Sequence, residues 1–415
     1  MRKLLIFLMA MAAISAFAQI AKFTATPRWP WNGLVDITVS IPGGIVNQDG
    51  TGNFGVRLEG YDNDRGETIG IHTLSIDGQV FGHKEDEDLL VCSSGVPRHF
   101  IWDASKDYPG FNTTSFTVKA TATSFGWNRD YLVINCGCGS IRTTNIPPDL
   151  SDDTCRTTEL WLHWIPAGTF TMGSPENELG CNTYLEGMHQ VTLSRGFYIG
   201  VFEMTQKQWE LVMGNNPSQY KGDARPVECV SYDDIRGTGL GAGWPAGGHT
   251  VDADSFLGRL RAKTGLPFFD LPTEAQWEYA CRAGTTTALN SGKDITATDS
   301  CPNLAEVGRY NGNKGDGKGG YGEHTKVGCY LPNAWGLYDM HGNIHEWCLD
   351  WYNGPYPTES VTDPVGPATG WWSILHVSRS GHWGNGASDC RSAFRATDSS
   401  SNRNAYRGFR VVCCP

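Results

Sequence analysis

Between residues 155 and 415 the chain is almost without period. Apolar residues rarely recur every 3.6 or every two positions for long enough to mark a helix or a strand, while Gly, Trp and Asn recur throughout. The whole chain carries 51 Gly and 15 Trp in 415 residues. A segment this long with so little regular structure has no long elements to stack. Its core has to be closed by tryptophan packing and loops, which leaves a role for bound ions. Three helices still stand out. One covers Gln206–Met213, capped by Thr205 and stopped by Gly214. A second covers about 255–263, ahead of Gly265. The third starts at Thr273, whose hydroxyl and Gln276 form a capping box, and stops near Gly284. The Gly-rich stretches 237–250 and 312–322 read as loops. No repeat of fixed period is present.

The first 18 residues read as a signal peptide. Arg2 and Lys3 precede an apolar run over 4–17, and Ala16-Phe17-Ala18 fits the cleavage site. The run is too short for a membrane span, and no later segment is long and apolar enough to be one. No cysteine stands directly after the cut, where Gln19 lies, which argues against a lipid anchor. The expectation is an exported protein, periplasmic or extracellular. The formal charge is -11, and losing Arg2 and Lys3 takes it to about -13. An acidic chain without basic runs does not suit nucleic acid or anionic lipid.

Residues 19–142 read as an all-β sandwich of immunoglobulin-like pattern. The run 35–41 alternates apolar and polar, and 53–60, 68–76 and 115–121 are further strands between turns. Asp62, Asp64 and Glu67 have calcium-ligand chemistry, but a solvated turn is the simpler reading. Pro147-Pro148 and Ser151-Asp152-Asp153 mark 143–154 as a linker, and 155–415 as a second domain. All 13 cysteines follow residue 18. Export permits disulfides, and an odd count leaves at least one thiol unpaired. Cys136-Gly137-Cys138 is spaced too tightly for a zinc pair. It and Cys413-Cys414 read as disulfide partners rather than catalytic groups.

The second domain carries ordered blocks. They include the run from Pro166 to Gly173, Glu203-Met204-Thr205-Gln206, Val230-Ser231-Tyr232, and Leu271-Pro272-Thr273-Glu274-Ala275-Gln276-Trp277-Glu278. Gly336-Leu337-Tyr338-Asp339-Met340-His341-Gly342-Asn343-Ile344-His345-Glu346-Trp347 and Arg407-Gly408-Phe409-Arg410 complete them. Together they resemble the formylglycine-generating-enzyme (sulfatase-modifying-factor) family. The resemblance implies an irregular α+β, C-type-lectin-like fold. In that fold Trp277, Trp335, Trp347 and Trp351 are core aromatics, and Arg395 and Arg410 anchor loops through forked hydrogen bonds. Glu274 and Glu278 share a helical face. That spacing suits acid/base work, but capping or salt bridging is the better-supported role.

The same resemblance implies calcium, held by Asp339, the carbonyls of Gly342 and Ile344, and Glu346, a hard-oxygen set of the kind calcium takes. A second family site would use Asn303 and Leu304 with a later loop. There Gly319 falls at the acidic position, and Asp316 is the alternative. The family's oxidases bind copper with two cysteines five residues apart and convert a substrate cysteine to formylglycine. Asn385 and Cys390 stand at those positions, after His382 and Trp383. An amide suits Cu(I) poorly, so copper and formylglycine chemistry are not expected. If catalysis survives, Cys390 and His382 are its candidates. His341, His345, His376 and His382 leave open a mixed-ligand iron centre, with oxidation of cysteine or another sulfur substrate as the alternative function. The family also bridges the Cys281 position to a strand position near Ser392. This implies a Cys281–Cys390 bond, Cys390 lying two residues away on the same strand face, with Cys348 as the competing partner. The leading expectation is a calcium-stabilised recognition module that binds a protein, peptide or glycan in the cell envelope or outside the cell.

Overall fold

The structure is a computed structural model. It describes residues 22–415 apart from 28–33, 42–52, 77–78, 83–89, 94–96, 110–115, 125–128, 316–321 and 371–373. The expected signal peptide therefore lies outside the described residues, as do Asp316 and Gly319 of the second calcium site. Among the described residues no helix is long and apolar enough to cross a membrane. The chain divides into two compact units, one drawn mainly from the first 144 residues and the other from the remainder.

The N-terminal unit holds two antiparallel sheets. In the first, the strand order is Lys22–Pro27, Leu34–Ser40, Arg98–Asp103, Thr73–Ile76 and Gln79–Gly82. In the second, Asn53–Asp62 pairs with Glu67–Ile69, Leu90–Ser93 and Phe116–Ser124. Leu34–Ser40 alternates half-buried and buried residues along its length, so Val35, Ile37 and Val39 face inward, as its period of two requires. They share one core with Val56 and Leu58 of the second sheet and with Phe100 and Trp102. The expected strand 68–76 is two strands, Glu67–Ile69 and Thr73–Ile76, which belong to different sheets. Asp62 is fully buried and caps its own turn, accepting from the amides of Asp64 and Arg65. Asp64 is exposed in the turn, as expected, whereas Glu67, also exposed, opens the strand Glu67–Ile69, and Asp62 is not solvated. The expected linker 143–154 takes in the end of the strand Ile141–Thr144 and runs up to the short helix Thr154–Thr157.

The second unit has small sheets and short helices. Glu159–Ile165, Phe197–Gly200, Val412–Cys413 and Phe269–Asp270 line up in one sheet. Another sheet runs Ala396–Ser399, Leu375–Arg379, His345–Trp351 and Arg407–Gly408. The hairpin Gly168–Met172/His189–Leu193 pairs in parallel with Val361–Thr362. The helix Gln206–Met213 carries the Thr205 capping box and ends on Gly214 at φ +80°. The second helix is Phe256–Thr264. The third, Glu274–Arg282, is capped by Thr273 and Gln276, but its left-handed terminator is Ala283 rather than Gly284. Ser231 and Asp234 form a further capping box, on Tyr232–Arg236. Trp277 and Trp347 are fully buried, and so are Arg236, Arg309, Arg379, Arg391 and Arg410. The core is therefore a lattice of aromatic rings and buried guanidinium groups.

Candidate functional site

The turn after Leu337 owes its shape to three left-handed residues, Asp339, Gly342 and Asn343, at φ +56°, +75° and +59°. Asn and Asp tolerate this region, and Gly adopts it freely. At Gly342 a Cβ would stand 2.0 Å from the carbonyl oxygen of Arg309. The turn is pinned from a distance. Glu203 accepts from the side-chain amide of Asn343 at 2.5 Å and from the backbone of Ile344 at 3.2 Å. Glu346 accepts from Trp277 Nε1 at 2.7 Å and takes a forked pair from Arg410 at 2.6 and 2.7 Å. Asp339 Oδ2 accepts from the Gly328 amide at 2.6 Å, while its Oδ1 is buried without a partner among the described residues.

Glu203, Asp339 and Glu346 are all buried and act on one another electrostatically, and Arg410 is the guanidinium that faces all three. Burial, reinforced by the charges of Asp339 and Glu346, pushes the Glu203 carboxyl well above the usual range. Burial likewise pushes Asp339 up to about 6. Glu203 is thereby held protonated, so Asp339 and Glu346 carry the negative charge of the turn, opposed by Arg410 and, at Asp339, also by Arg156. The expected calcium ligands therefore fit in one respect: a buried carboxylate oxygen stands open at Asp339. Gly342 O accepts from Ser380 Oγ at 2.8 Å. Among the described residues no three His, Cys, Asp or Glu side chains are placed to hold a metal. A cation here would depend on the Gly342 and Ile344 carbonyls beside Asp339 and Glu346. The second expected site is not assembled among the described residues. Asn303 donates to the Asp294 carbonyl at 2.8 Å, and the Leu304 carbonyl closes the helix Pro302–Val307.

The thiol positions tell a different story. Asn385 Oδ1 accepts from the His382 amide at 3.0 Å, and its Nδ2 donates to Asp389 at 3.0 Å. It is a turn-capping residue. Cys390 ends the 3-10 turn Ala387–Cys390 and is fully buried, and burial pushes its thiol far up. A buried protonated thiol beside a capping amide does not suit copper, which takes thiolates.

The disulfide expectation needs correction. Cys281, Cys348 and Cys390 form no disulfide with one another. Cys281 Sγ faces Ser392 Oγ at 3.6 Å. Cys281 and Cys348 pack in the core cluster of Trp277, whereas Cys390 packs with Ala288, Leu289 and Cys301. Cys390 lies in a 3-10 turn, not on the strand face that would have aimed it at Cys281.

The four histidines are dispersed in role. His341 Nδ1 donates to the Cys390 carbonyl at 2.7 Å, and its Nε2 accepts from the Asn290 amide at 2.9 Å, so both nitrogens are used. His376 is sandwiched between Tyr232 and Trp351, each 3.7 Å from its ring centre. His345 and His382 lie 5.0 Å apart. Burial lowers all four, His341 and His382 to about 4 and His376 to about 3. The expected iron ligands are thus split among separate packing roles.

Above Asn385 lies an aromatic shelf. Tyr406 is 41% exposed. Its ring sits 4.4 Å from His382 and 5.1 Å from Trp383, and Tyr220 meets Trp383 edge-on at 5.9 Å. Sequence reasoning did not single out Tyr220, Tyr406 or Glu203 as site residues. The sequence signals for Glu203 are its place in the block Glu203-Met204-Thr205-Gln206 and an acid set between the apolar Phe202 and Met204.

Glu274 and Glu278 have the salt-bridging role. Glu274 takes a forked pair from Arg395 and one bond from Arg379, and Glu278 pairs with Arg379 and Arg282.

The second unit is thus an irregular α+β unit with a buried acidic turn, and the two positions expected to carry thiolates hold Asn385 and Cys390. The chain belongs to the sulfatase-modifying factor enzyme 1-like domain family, which it matches over residues 149–414. It is 33% identical over 213 residues to the chaperone protein LppX of Paenibacillus barcinonensis, covering 45% of this chain and 73% of that one. It is 33% identical over 161 residues to the formylglycine-generating enzyme of Thermomonospora curvata. That match covers 35% of this chain and spans about half (49%) of the enzyme's length. Among solved structures, Treponema denticola variable protein 1 superposes with a TM-score of 0.49 at 27% identity, over 62% of this chain and 96% of that one.

Proposed function

We propose that this protein is an exported, calcium-stabilised recognition module of its family without formylglycine-generating activity. The observation that carries the reading is the state of the two thiolate positions. One is a turn-capping amide, Asn385, and the other is the buried, protonated Cys390. No pair of soft ligands is available there, and Cu(I) selection depends on soft ligands. The residues that would hold calcium are Asp339, Glu346 and the carbonyls of Gly342 and Ile344, with Glu203 pinning the turn from behind. Bound there, the cation would neutralise the turn and lock the loop beneath the aromatic shelf. Tyr406, with the partly exposed Tyr220 and His382 and backed by the buried Trp383, then forms the face that meets a protein, peptide or glycan, since rigid aromatic rings bury area at low entropic cost.

The test is mass spectrometry of a Cys-x-Pro-x-Arg peptide incubated with the protein, oxygen, copper and a reductant. The peptide mass is expected to stay unchanged. Protein-dependent conversion of the cysteine to an aldehyde overturns the reading.

A further inference from the structure

A cavity of about 570 Å³ opens between the hairpin of Met172 and His189, the N-terminus of the helix Glu274–Arg282, and the loops around 353–357 and 363–367. Its walls are largely apolar, with Met172, Pro355, Pro357, Val365 and Pro367 among them. Four charged side chains also line it: Glu274, Asp350, Asp363 and Arg395.

Their states differ. Glu274 is neutralised by its forked pair with Arg395 and its bond to Arg379. Arg395 uses its remaining nitrogen on the carbonyls of Leu185 and Gly354. Four of the five donors a guanidinium owns are thereby committed. That leaves little with which to grip an anion. Asp350 and Asp363 have no such neutralisation. Asp350 accepts from the Glu274 amide at 2.7 Å, and Asp363 from the amide and hydroxyl of Ser194. Among the described residues neither forms an ion pair with a lysine or arginine. Gly366, at φ +74°, lies against Asp350, where an added Cβ would come within 2.9 Å of both Cβ and Oδ1.

We propose that this cavity binds an organic ammonium group, its N–H donors directed to Asp350 and Asp363 and its carbon stem laid along the proline and valine wall. An ammonium brings three donors and a charge, and an aliphatic stem buries well against apolar surface. A bare calcium ion is a poor occupant, because it needs six to eight oxygens and the wall is mostly carbon. The source is either a free amine or the side chain of a lysine in a peptide, and the chemistry is the same. The site is independent of the turn around Asp339 and of the shelf around Trp383.

Burial, then the charge of Glu274, pushes Asp350 up to about 7, with Arg395 opposing. Affinity for a cation therefore rises between pH 6 and 8 as Asp350 ionises.

The test is calorimetric titration of the full protein with n-butylammonium, sodium butyrate and Nα-acetyl-lysine-N-methylamide. Butylammonium is expected to bind and butyrate not to. Asp350→Asn should weaken binding by about tenfold or more, the loss of a charge-assisted bond. Asp363→Asn, at an exposed position, should weaken it severalfold and serves if the buried variant fails to fold. Tighter binding of the lysine derivative assigns the site to peptide side chains, and tighter binding of butylammonium assigns it to free amines. Equal binding of butyrate, no binding of either ammonium, or wild-type affinity in both variants overturns the proposal.

Discussion

Replacing Asp339 with asparagine separates a structural acid from a cation ligand. In wild type, Asp339 Oδ1 is buried without a partner among the described residues, next to two further buried carboxyl groups and Arg410. An asparagine keeps an oxygen to accept from the Gly328 amide but removes the buried charge of Asp339. If calcium binds here, it stabilises the folded state by mass action. Free calcium at a hundred times its Kd contributes about 2.7 kcal/mol. For a Kd of ~0.1 mM, in the range of extracellular calcium modules, that means ~10 mM calcium. A domain of this size shifts by roughly 2–4 °C per kcal/mol, so wild type should melt about 5–11 °C higher in calcium than in EDTA. Asp339→Asn should melt at the same temperature in both buffers. In EDTA it should be no less stable than wild type, because burying an unpaired charge is costly. The assay is scanning calorimetry of both proteins in matched buffers. A wild-type melting temperature indifferent to EDTA refutes the calcium assignment, and so does a variant that keeps the full shift.

Glu346→Ala strands Arg410 without its carboxylate and should cost about 3–5 kcal/mol in EDTA, read as a lowered midpoint in urea, and more in calcium, because the variant also loses a calcium ligand and with it the calcium response. Asp350→Asn should raise stability increasingly with pH. The folded carboxyl titrates near 7 against a usual 3.8, so its favourable contribution is present below about pH 4 and lost as pH rises through 7. The gain at pH 8 is at most about 4 kcal/mol, at 1.36 kcal/mol per pKa unit, and a melting difference that is flat with pH would contradict it. Alkylation of unfolded, unreduced protein should label both Cys281 and Cys390, and a linked peptide pair in the digest would contradict the packing that separates them.

Local chemistry was legible in the chain. The capping boxes at Thr205 and Thr273 placed two helix starts, because a cap is decided within four residues. The alternation over 35–41 placed a half-buried strand, found at Leu34–Ser40, because it too is a local pattern. The family blocks located the acidic turn, and Asn385 showed that one thiolate position is an amide. What the chain could not show is which distant partner closes each buried charge. Arg410 meets Glu346 64 residues away, and Arg391 meets Glu178 and Glu186 more than 200 residues away. Glu203 reaches Asn343 across 140 residues. No spacing rule encodes such pairs. They form only when loops from separate blocks meet in a low-dielectric interior, where an unpaired charge is too costly to leave. The same holds for Cys390. Two residues from the expected bridge position, it was turned by a 3-10 segment into a different core cluster, a choice made by tertiary packing alone.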